Sequence, residues 1–216
     1  MEKVSFLKEN SLGLIMEELN KLRKFYELKN VERACSVSGR KESSAEHSWS
    51  CLILADYFLS IMKHHRLNRL KVYEILIYHD VVEIEAGDIP IHHEEKRKNK
   101  KEQEMKALIK LQEKVPQVLK DKFVDLFLEF EERKSKEAKF AKAIDALDSL
   151  AHELDYKKDW RGWTEEMVRR YHGEYMEDFP EVKKAFNKML AYCRNKGYFN
   201  QLKKSKVIPK KRLRKK

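Results

Sequence analysis

YHDVVEIEAGDIP, residues 78–90, sets His79 and Asp80 side by side in an apolar run. Glu83 follows four residues after the histidine, and Gly87-Asp88-Ile89-Pro90 closes the stretch. The spacing of the preceding apolar residues predicts a helix from about residue 70 to residue 86, which Gly87 and Pro90 end. A lone His-Asp pair on such a helix is by itself an ordinary satisfied pair. Three ionisable groups near one helix end call for a reason, so the search moves outward along the chain.

Ahead of this stretch, SLGLIMEELNKLRKFYEL (residues 11–28) carries Leu12, Ile15, Leu19, Leu22 and Tyr26 at three- and four-residue steps, the pattern of an amphipathic helix. Residues 29–42 break that period around Gly39 and are expected to form a loop. Ser43-Ser44-Ala45-Glu46 matches a capping box, so a helix is expected from there to about residue 64. Beyond Pro90, charged residues 92–104 lead into a helix ending near residue 115, and Pro116 starts another to about 134. A further helix is expected over 136–156, with Phe140, Ile144, Leu147 and Leu150 inward. Trp160, Gly162 and Trp163 mark a loop, and shorter helices are expected over 164–176 and 180–195. With six glycines, four prolines and no internal repeat, the chain reads as an all-α bundle of roughly seven to nine helices.

The 216 residues suit one domain, and 42% hydrophobic content is enough for its core. No apolar run reaches the roughly 18 residues of a membrane span, and the N-terminus lacks the apolar segment of a signal peptide. Cys35, Cys51 and Cys193 are odd in number and show no CxxC spacing, which suits a reduced, cytoplasmic setting. Of the net charge of +11, nine positive charges fall in KKSKVIPKKRLRKK, residues 203–216. Residues 1–202 are therefore a nearly neutral folded body, and the rest is a basic tail that cannot bury enough apolar surface to fold alone. Such a tail serves as solubilising charge, as a localisation signal, or for nonspecific nucleic-acid contact through counterion release.

Metal-competent side chains recur on three predicted helices: His47 just after the cap, His79 with Asp80, and Asp145. Two histidines and two carboxylates form a mixed N/O set for a divalent ion such as Mn, Co, Fe, Ni or Zn. A metal with open positions lowers the pKa of bound water and delivers hydroxide to an electrophile. Glu83, close by and not needed as a ligand, is placed to position that water or move protons.

The order His47, His79-Asp80, Asp145 resembles the H…HD…D signature of the HD-domain metal-dependent phosphohydrolases. SSAEHSWSCLILA (43–55), YHDVVEIEAGDIP (78–90) and EAKFAKAIDALDSLAHEL (137–154) are similar to the three core blocks of the 5′-deoxynucleotidase branch. The shared elements are Glu46-His47, His79-Asp80, Glu83, Gly87-Asp88-Ile89 and Lys142-x-x-Asp145. The resemblance covers about residues 10–190 and implies an HD-domain helical bundle. It further implies that His47, His79, Asp80 and Asp145 hold the metal, with Mg added to the candidates. Glu83 would act on the attacking water, Asp88 would stand near the leaving oxygen or the sugar, and an arginine before the first histidine would grip phosphate. Arg33 is the candidate for that arginine, with Arg40 as its rival. An aromatic often follows it in the family, whereas Ala34-Cys35 follows here.

The implied activity is removal of the 5′-phosphate from deoxyribonucleoside monophosphates, in a homodimer. Two alternatives stand beside it: hydrolysis of nucleoside triphosphates or other nucleotides at the same site, and a nucleic-acid-associated protein acting through its tail. His64-His65 and His92-His93 are expected on solvated surface. His152 is expected in packing, and Asp148 either in the same pocket or in an ion pair with a neighbouring helix. Trp49, Trp160 and Trp163 are expected as core or loop anchors, with Trp163 and Trp160 also open to covering the pocket. Cys35 is expected to be an ordinary thiol.

Overall fold

The computed structural model describes residues 12–62 and 66–199. His64-His65, the boundary at residue 202 and the basic segment 203–216 lie outside the described residues. The helices are α1 (Leu12–Phe25), α2 (Ser44–Ile61), α3 (Arg69–Tyr78), α4 (Glu83–Ala86), α5 (Glu94–Arg97), α6 (Lys100–Gln112), α7 (Gln117–Glu132), α8 (Lys136–His152), α9 (Glu165–His172) and α10 (Pro180–Asn195). Among the described residues eight of these exceed a single turn, in keeping with the expected all-α bundle. Short 3₁₀ turns extend α1, α8 and α9 at Tyr26–Asn30, Glu153–Asp155 and Gly173–Met176.

The caps explain where the long helices begin. The Ser43 side chain accepts from the Glu46 amide while Glu46 accepts from the Ser43 amide, so α2 opens on the capping box its sequence carries. Ser135 caps α8 and Thr164 caps α9 through their side-chain oxygens. Each such cap is worth about 1 kcal/mol.

The core is organised around α8, which packs against α2, α3, α7 and α10. Its buried side chains include Ala138, Ala141, Ala143 and Ala146 as well as Phe140, Ile144, Leu147 and Leu150. The alanines let neighbouring helices approach closely, and the larger residues interdigitate with Phe58, Ile75, Phe123 and Leu190 in one apolar cluster. Trp160 is fully buried, as an anchor should be. Trp49 departs from expectation: it stands 65% exposed on the outer face of α2, because the capping box orients the helix with Ser48 and Cys51 inward instead.

Two segments differ from the sequence-based expectation. Residues 29–42 are a hairpin rather than a loop, with β1 (Glu32–Val37) antiparallel to β2 (Arg40–Ser43). Ser38 and Gly39 have φ of 44° and 85°, the left-handed pair that closes a two-residue hairpin. The strand ERACSV has no clean alternation of apolar residues. It is held by tertiary bonds: Ser36 N–H and Oγ–H donate to Asp159 at 2.7 and 3.0 Å, and His152 Nε2 donates to the Ser36 carbonyl at 2.7 Å. His152 thus packs the hairpin onto the end of α8. The second difference is that the helix expected over 70–86 stops at Tyr78. Residues 79–82 tighten into turns in which Val81, Glu83 and Ile84 amides reach back only three residues, and α4 follows.

α4 is fastened from outside by charge. Glu85 accepts from Lys114 at 2.6 Å, pairs with Lys24 at 3.2 Å, and also contacts Lys110. Lys110 and Lys114, helped by Lys24 against the opposing effect of burial, hold its carboxyl down to about 2. Because that value lies below the ordinary 4.5, the cluster stabilises the fold fully above about pH 4.5 and fades as pH falls toward 2. Glu85→Gln is expected to cost about 1 kcal/mol at pH 7, a figure discounted because Lys110 and Lys114 are exposed. Urea denaturation at pH 7 and pH 3 tests this: the cost should shrink at the lower pH, and an equal cost at both would remove the electrostatic account.

Candidate functional site

His47 is fully buried in the first turn of α2, placed there by the capping box one turn earlier. Its ring stands between three carboxylates. Nδ1 donates to Asp148 Oδ2 at 2.9 Å, while Nε2 lies 3.0 Å from Asp145 Oδ1 and 3.8 Å from Asp80 Oδ2. Burial and the Arg33 charge would lower the pKa of His47, but the bonds to Asp145 and Asp148 outweigh them and hold it well above its ordinary value.

His79 caps α3, and its Nδ1 donates to the Leu76 carbonyl at 2.8 Å. That bond fixes the tautomer, leaving Nε2 as an unprotonated acceptor. Burial keeps the ring neutral, pushing its pKa down against Asp80 and Asp145. Nε2 is buried without a hydrogen-bond partner, and Asp80 Oδ2 is 3.3 Å from it. An orphaned buried lone pair is costly unless something electrophilic meets it. A cation held by His47 Nε2, His79 Nε2, Asp80 and Asp145 would satisfy it, so these residues fit a divalent metal.

Among the described residues, two triads have their donor atoms within 4.8 Å of one another inside each group: His47, Cys51 and His79, and Glu42, His47 and Asp148. Burial pushes the Cys51 thiol up to about 12, so it stays protonated and is a poor ligand beside two carboxylates. The second triad sits on the Nδ1 side of His47. There Asp148 already takes the N–H, and Glu42 is 3.3 Å from the Arg33 guanidinium. The Nε2 side is therefore the metal-competent one. Asp148 orients His47 from behind, a carboxylate–histidine arrangement that fixes ring and tautomer. The sequence put Asp148 near the site but could not reveal that it belongs to the far nitrogen of His47.

A cavity of about 450 Å³ opens over these groups, lined in part by Arg33, Asp80, Glu83, Asp88, Lys142 and Asp145. The structure thus brings Arg33, Glu83 and Asp88 to one cleft beside His47, His79, Asp80 and Asp145. Arg33 reaches in from β1, not from the end of a helix, donating to Asp80 Oδ2 at 3.2 Å and to Ser149 Oγ at 3.1 Å. Arg40 is exposed on β2 and donates to Glu46 at 2.8 Å, outside the lining. Glu46 itself serves the cap and Arg40, which together hold it down to about 2.

The carboxylates divide into two kinds. Burial alone would raise Asp145, but Lys142 at 2.8 Å and His47 hold it well below the usual range. Asp80 is likewise lowered, since His79, Arg33 and His47 together overcome its burial. Glu83 goes the other way: burial, with Asp80 and Asp88 beside it, raises it well above normal despite Arg33 and a 2.7 Å bond from Ser44. Asp88, which follows the left-handed Gly87 (φ 76°), is also raised by burial and by Asp80. Two carboxylates are lowered and two are raised, the division expected of a ligand set flanked by proton-transfer groups.

Residues that the sequence assigned to surface or loops also reach the cleft. His92 and Trp163 lie with ring centroids 5.6 Å apart and both line it, while Trp160 stays beneath. Buried His172, pushed down to about 4 by burial, lines it too. No spacing rule points to these, because α9 and the loop before it fold back over α8 only in the tertiary structure.

Comparison with known proteins gives a consistent outcome. The HD domain family profile matches residues 25–183. The 5′-deoxynucleotidase hdd1 of Schizosaccharomyces pombe is 28% identical over 127 residues, 57% of this chain and 62% of that protein. The human 5′-deoxynucleotidase HDDC2 is 28% identical over 139 residues, 63% and 66% of the two chains. The chain thus matches somewhat under two thirds of these relatives' length. A crystal structure of a predicted metal-dependent phosphohydrolase from Magnetospirillum magnetotacticum superposes with a TM-score of 0.77 at 26% identity, over 87% of this chain and 96% of that one.

Asp148→Asn should weaken Mn²⁺ or Co²⁺ binding by ~10–100-fold, because the His47 ring loses the carboxylate that orients it. Calorimetric titration of the chelator-stripped protein measures this, with circular dichroism to verify the fold. Unchanged affinity would place the cation away from His47.

Proposed function

Because the chain belongs to the HD domain family, we propose that it is a divalent-metal-dependent phosphomonoesterase that removes the 5′-phosphate from deoxyribonucleoside monophosphates. The observation that carries the reading is the convergence of His47, His79, Asp80 and Asp145 around the orphaned His79 Nε2, with Arg33 beside them. The relatives named 5′-deoxynucleotidase support the substrate class. A divalent ion in this set supplies a water of lowered pKa and polarises a phosphoryl oxygen.

The chain's own residues do the rest. Arg33 is permanently charged: the carboxylates of Asp80, Glu83, Asp88 and Asp145 raise its pKa further, against the effect of burial. Its planar guanidinium grips two phosphate oxygens and stabilises charge as the P–O bond breaks. Glu83, steadied by Ser44, positions the attacking water and takes its proton. Asp88, whose pKa burial and Asp80 raise, donates to the departing 5′-oxygen.

To the same reading belong a cytoplasmic location and nonspecific nucleic-acid contact through residues 203–216. A homodimer also belongs to it, with the outer faces of α1 and α2 as its interface. Trp49, Ile53 and Tyr57 stand 65%, 55% and 59% exposed at four-residue steps on α2. Tyr26 and Trp49 line one shallow groove, and Leu14, Ile15, Met16 and Leu19 are exposed on α1. Among the described residues no helix is long and apolar enough to cross a membrane.

With Mn²⁺ or Co²⁺ present, the protein should release phosphate from deoxyribonucleoside monophosphates faster than from ribonucleotides or triphosphates. His79→Ala and Asp80→Ala should each lower kcat/KM by at least ~100-fold, the scale of losing a metal-centred charge interaction. Release from none of the panel, or variants equal to wild type, overturns the reading. Separately, light scattering should give the mass of a dimer for wild type and of a monomer for Ile53→Glu/Tyr57→Glu. A monomeric wild type removes the interface.

A further inference from the structure

The cleft runs along one face of α8. Lys142, Asp145, Ala146, Ser149, Leu150 and Glu153 line it at helical spacing, continuing into the 3₁₀ turn. Asp145 belongs to the metal-competent end. Ser149, one turn on, holds Arg33 at 3.1 Å. Glu153 is one further turn along, about 12 Å from Asp145 by helix rise. That is close to the reach of a nucleoside monophosphate from phosphorus to the far edge of its base. Ala146 and Ser149 are small and keep the helix surface low between the two ends, where Leu150 also lines the cleft and the Arg33 guanidinium lies on Ser149.

The Glu153 position is braced. Its backbone carbonyl accepts from Trp160 Nε1 at 2.9 Å, and Oε1 accepts from the Cys35 thiol at 3.3 Å. Among the described residues no group hydrogen-bonds Oε2. Asp159, also in the lining, already takes Ser36 N–H and Oγ–H on its two oxygens. Glu153 is therefore the carboxyl at that end with acceptor capacity to spare. A weak thiol donor does not repay the burial of a carboxyl by itself, so a polar ligand group is the natural complement.

We infer that Glu153 reads the nucleobase, its carboxylate accepting the paired N1–H and N2–H donors of guanine, so that deoxyguanosine monophosphate is the favoured substrate. The inference rests on the phosphomonoesterase reading above for the identity of the ligand. Guanine presents two adjacent donors. Adenine and cytosine present one amino donor beside a ring acceptor, and thymine presents one imino donor between two carbonyls. A carboxylate, which only accepts, discriminates among these patterns by leaving unpaired groups with the wrong base.

The same geometry implies a pH signature. Burial raises Glu153, Cys35 opposes, and Asp159 adds to the rise while His152 and Arg33 resist it, leaving the group at about 7. These are the charged and titratable groups facing it from β1, α8 and the following loop. Below that value the protonated carboxyl offers one donor and one acceptor, the complement of adenine; above it, the carboxylate suits guanine. The dGMP-to-dAMP preference therefore rises with pH, and taking the ratio cancels ionisations common to both substrates.

The test measures kcat/KM on dGMP, dAMP, dCMP and TMP at pH 6 and 8 for wild type, Glu153→Gln and Glu153→Ala. Each protein is normalised to its own rate on abasic 2-deoxyribose 5-phosphate. Dissociation constants of dGMP and dAMP for chelator-stripped protein supply a readout independent of turnover. Wild type should favour dGMP by roughly tenfold or more at pH 8, the scale of a hydrogen-bonded specificity contact. The preference should shrink at pH 6. Glu153→Gln, which offers a donor and an acceptor at either pH, should lose the dGMP preference or turn it toward dAMP without pH dependence, and Glu153→Ala should show no preference. Wild-type turnover without base preference, or variants keeping the wild-type ratio, overturns the inference and leaves the phosphomonoesterase reading intact. A Glu153-dependent dGMP preference in binding, with no phosphate released from any substrate, supports base reading and overturns the phosphomonoesterase reading.

Discussion

A fully buried imidazole cannot leave either ring nitrogen unpaired without a cost of about 1–3 kcal/mol for each. His47 meets that constraint by bridging α2 to two successive turns of α8, through Asp148 on one side and Asp145 on the other. The two helices must therefore dock in a single register, since a slip of one residue would withdraw both carboxylates. The alanines of α8 permit the approach and the capping box at Ser43 sets the rotation of α2. The site and the core are thus one object: the contact that joins the main helices is also the one that aims His47 Nε2 at the metal-competent space.

The second constraint is the break in the helix at His79. Had α3 continued to Ala86, Asp80 would have pointed about 100° away from His79 and Glu83 would have lain on His79's own face. The tightened turns over 79–82 let His79 and Asp80 approach one centre while Glu83 stays buried beside it on Ser44. Gly87, in a left-handed conformation, then swings Asp88 back over the same cavity. One short segment thereby supplies a carboxylate whose pKa is lowered, Asp80, and two whose pKa is raised, Glu83 and Asp88. Their separation follows from local charge: the histidines stand by the former, neighbouring carboxylates by the latter.

Opposite this segment the hairpin delivers Arg33. Strand geometry places the guanidinium between Asp80, Ser149 and Glu42, a position that no helix end at residue 33 would reach. The hairpin is tied to the end of α8 by Ser36, Asp159 and His152, so Arg33 is braced against the far end of the cleft.

By itself the sequence determined the helical bundle, through the three- and four-residue apolar steps and the caps at Ser43 and Pro116. It also pointed to the cluster to watch, His47, His79-Asp80, Glu83, Asp88 and Asp145, through the resemblance of its three blocks to the HD-domain phosphohydrolases, since spacing alone is a weak signal for groups spread over almost a hundred residues. The hairpin was not legible, since ERACSV lacks alternation and is held by bonds to residues more than a hundred positions away. Asp148, Ser149 and Glu153 read only as spacing on a helix face, and Trp49 read as an anchor though it is exposed. Only the tertiary structure decided which nitrogen of His47 faces Asp80 and Asp145, which arginine enters the cleft and where the cleft leads. Those are properties of how α8 meets α2 and the hairpin, and periodicity along one element carries no information about the neighbour it will meet.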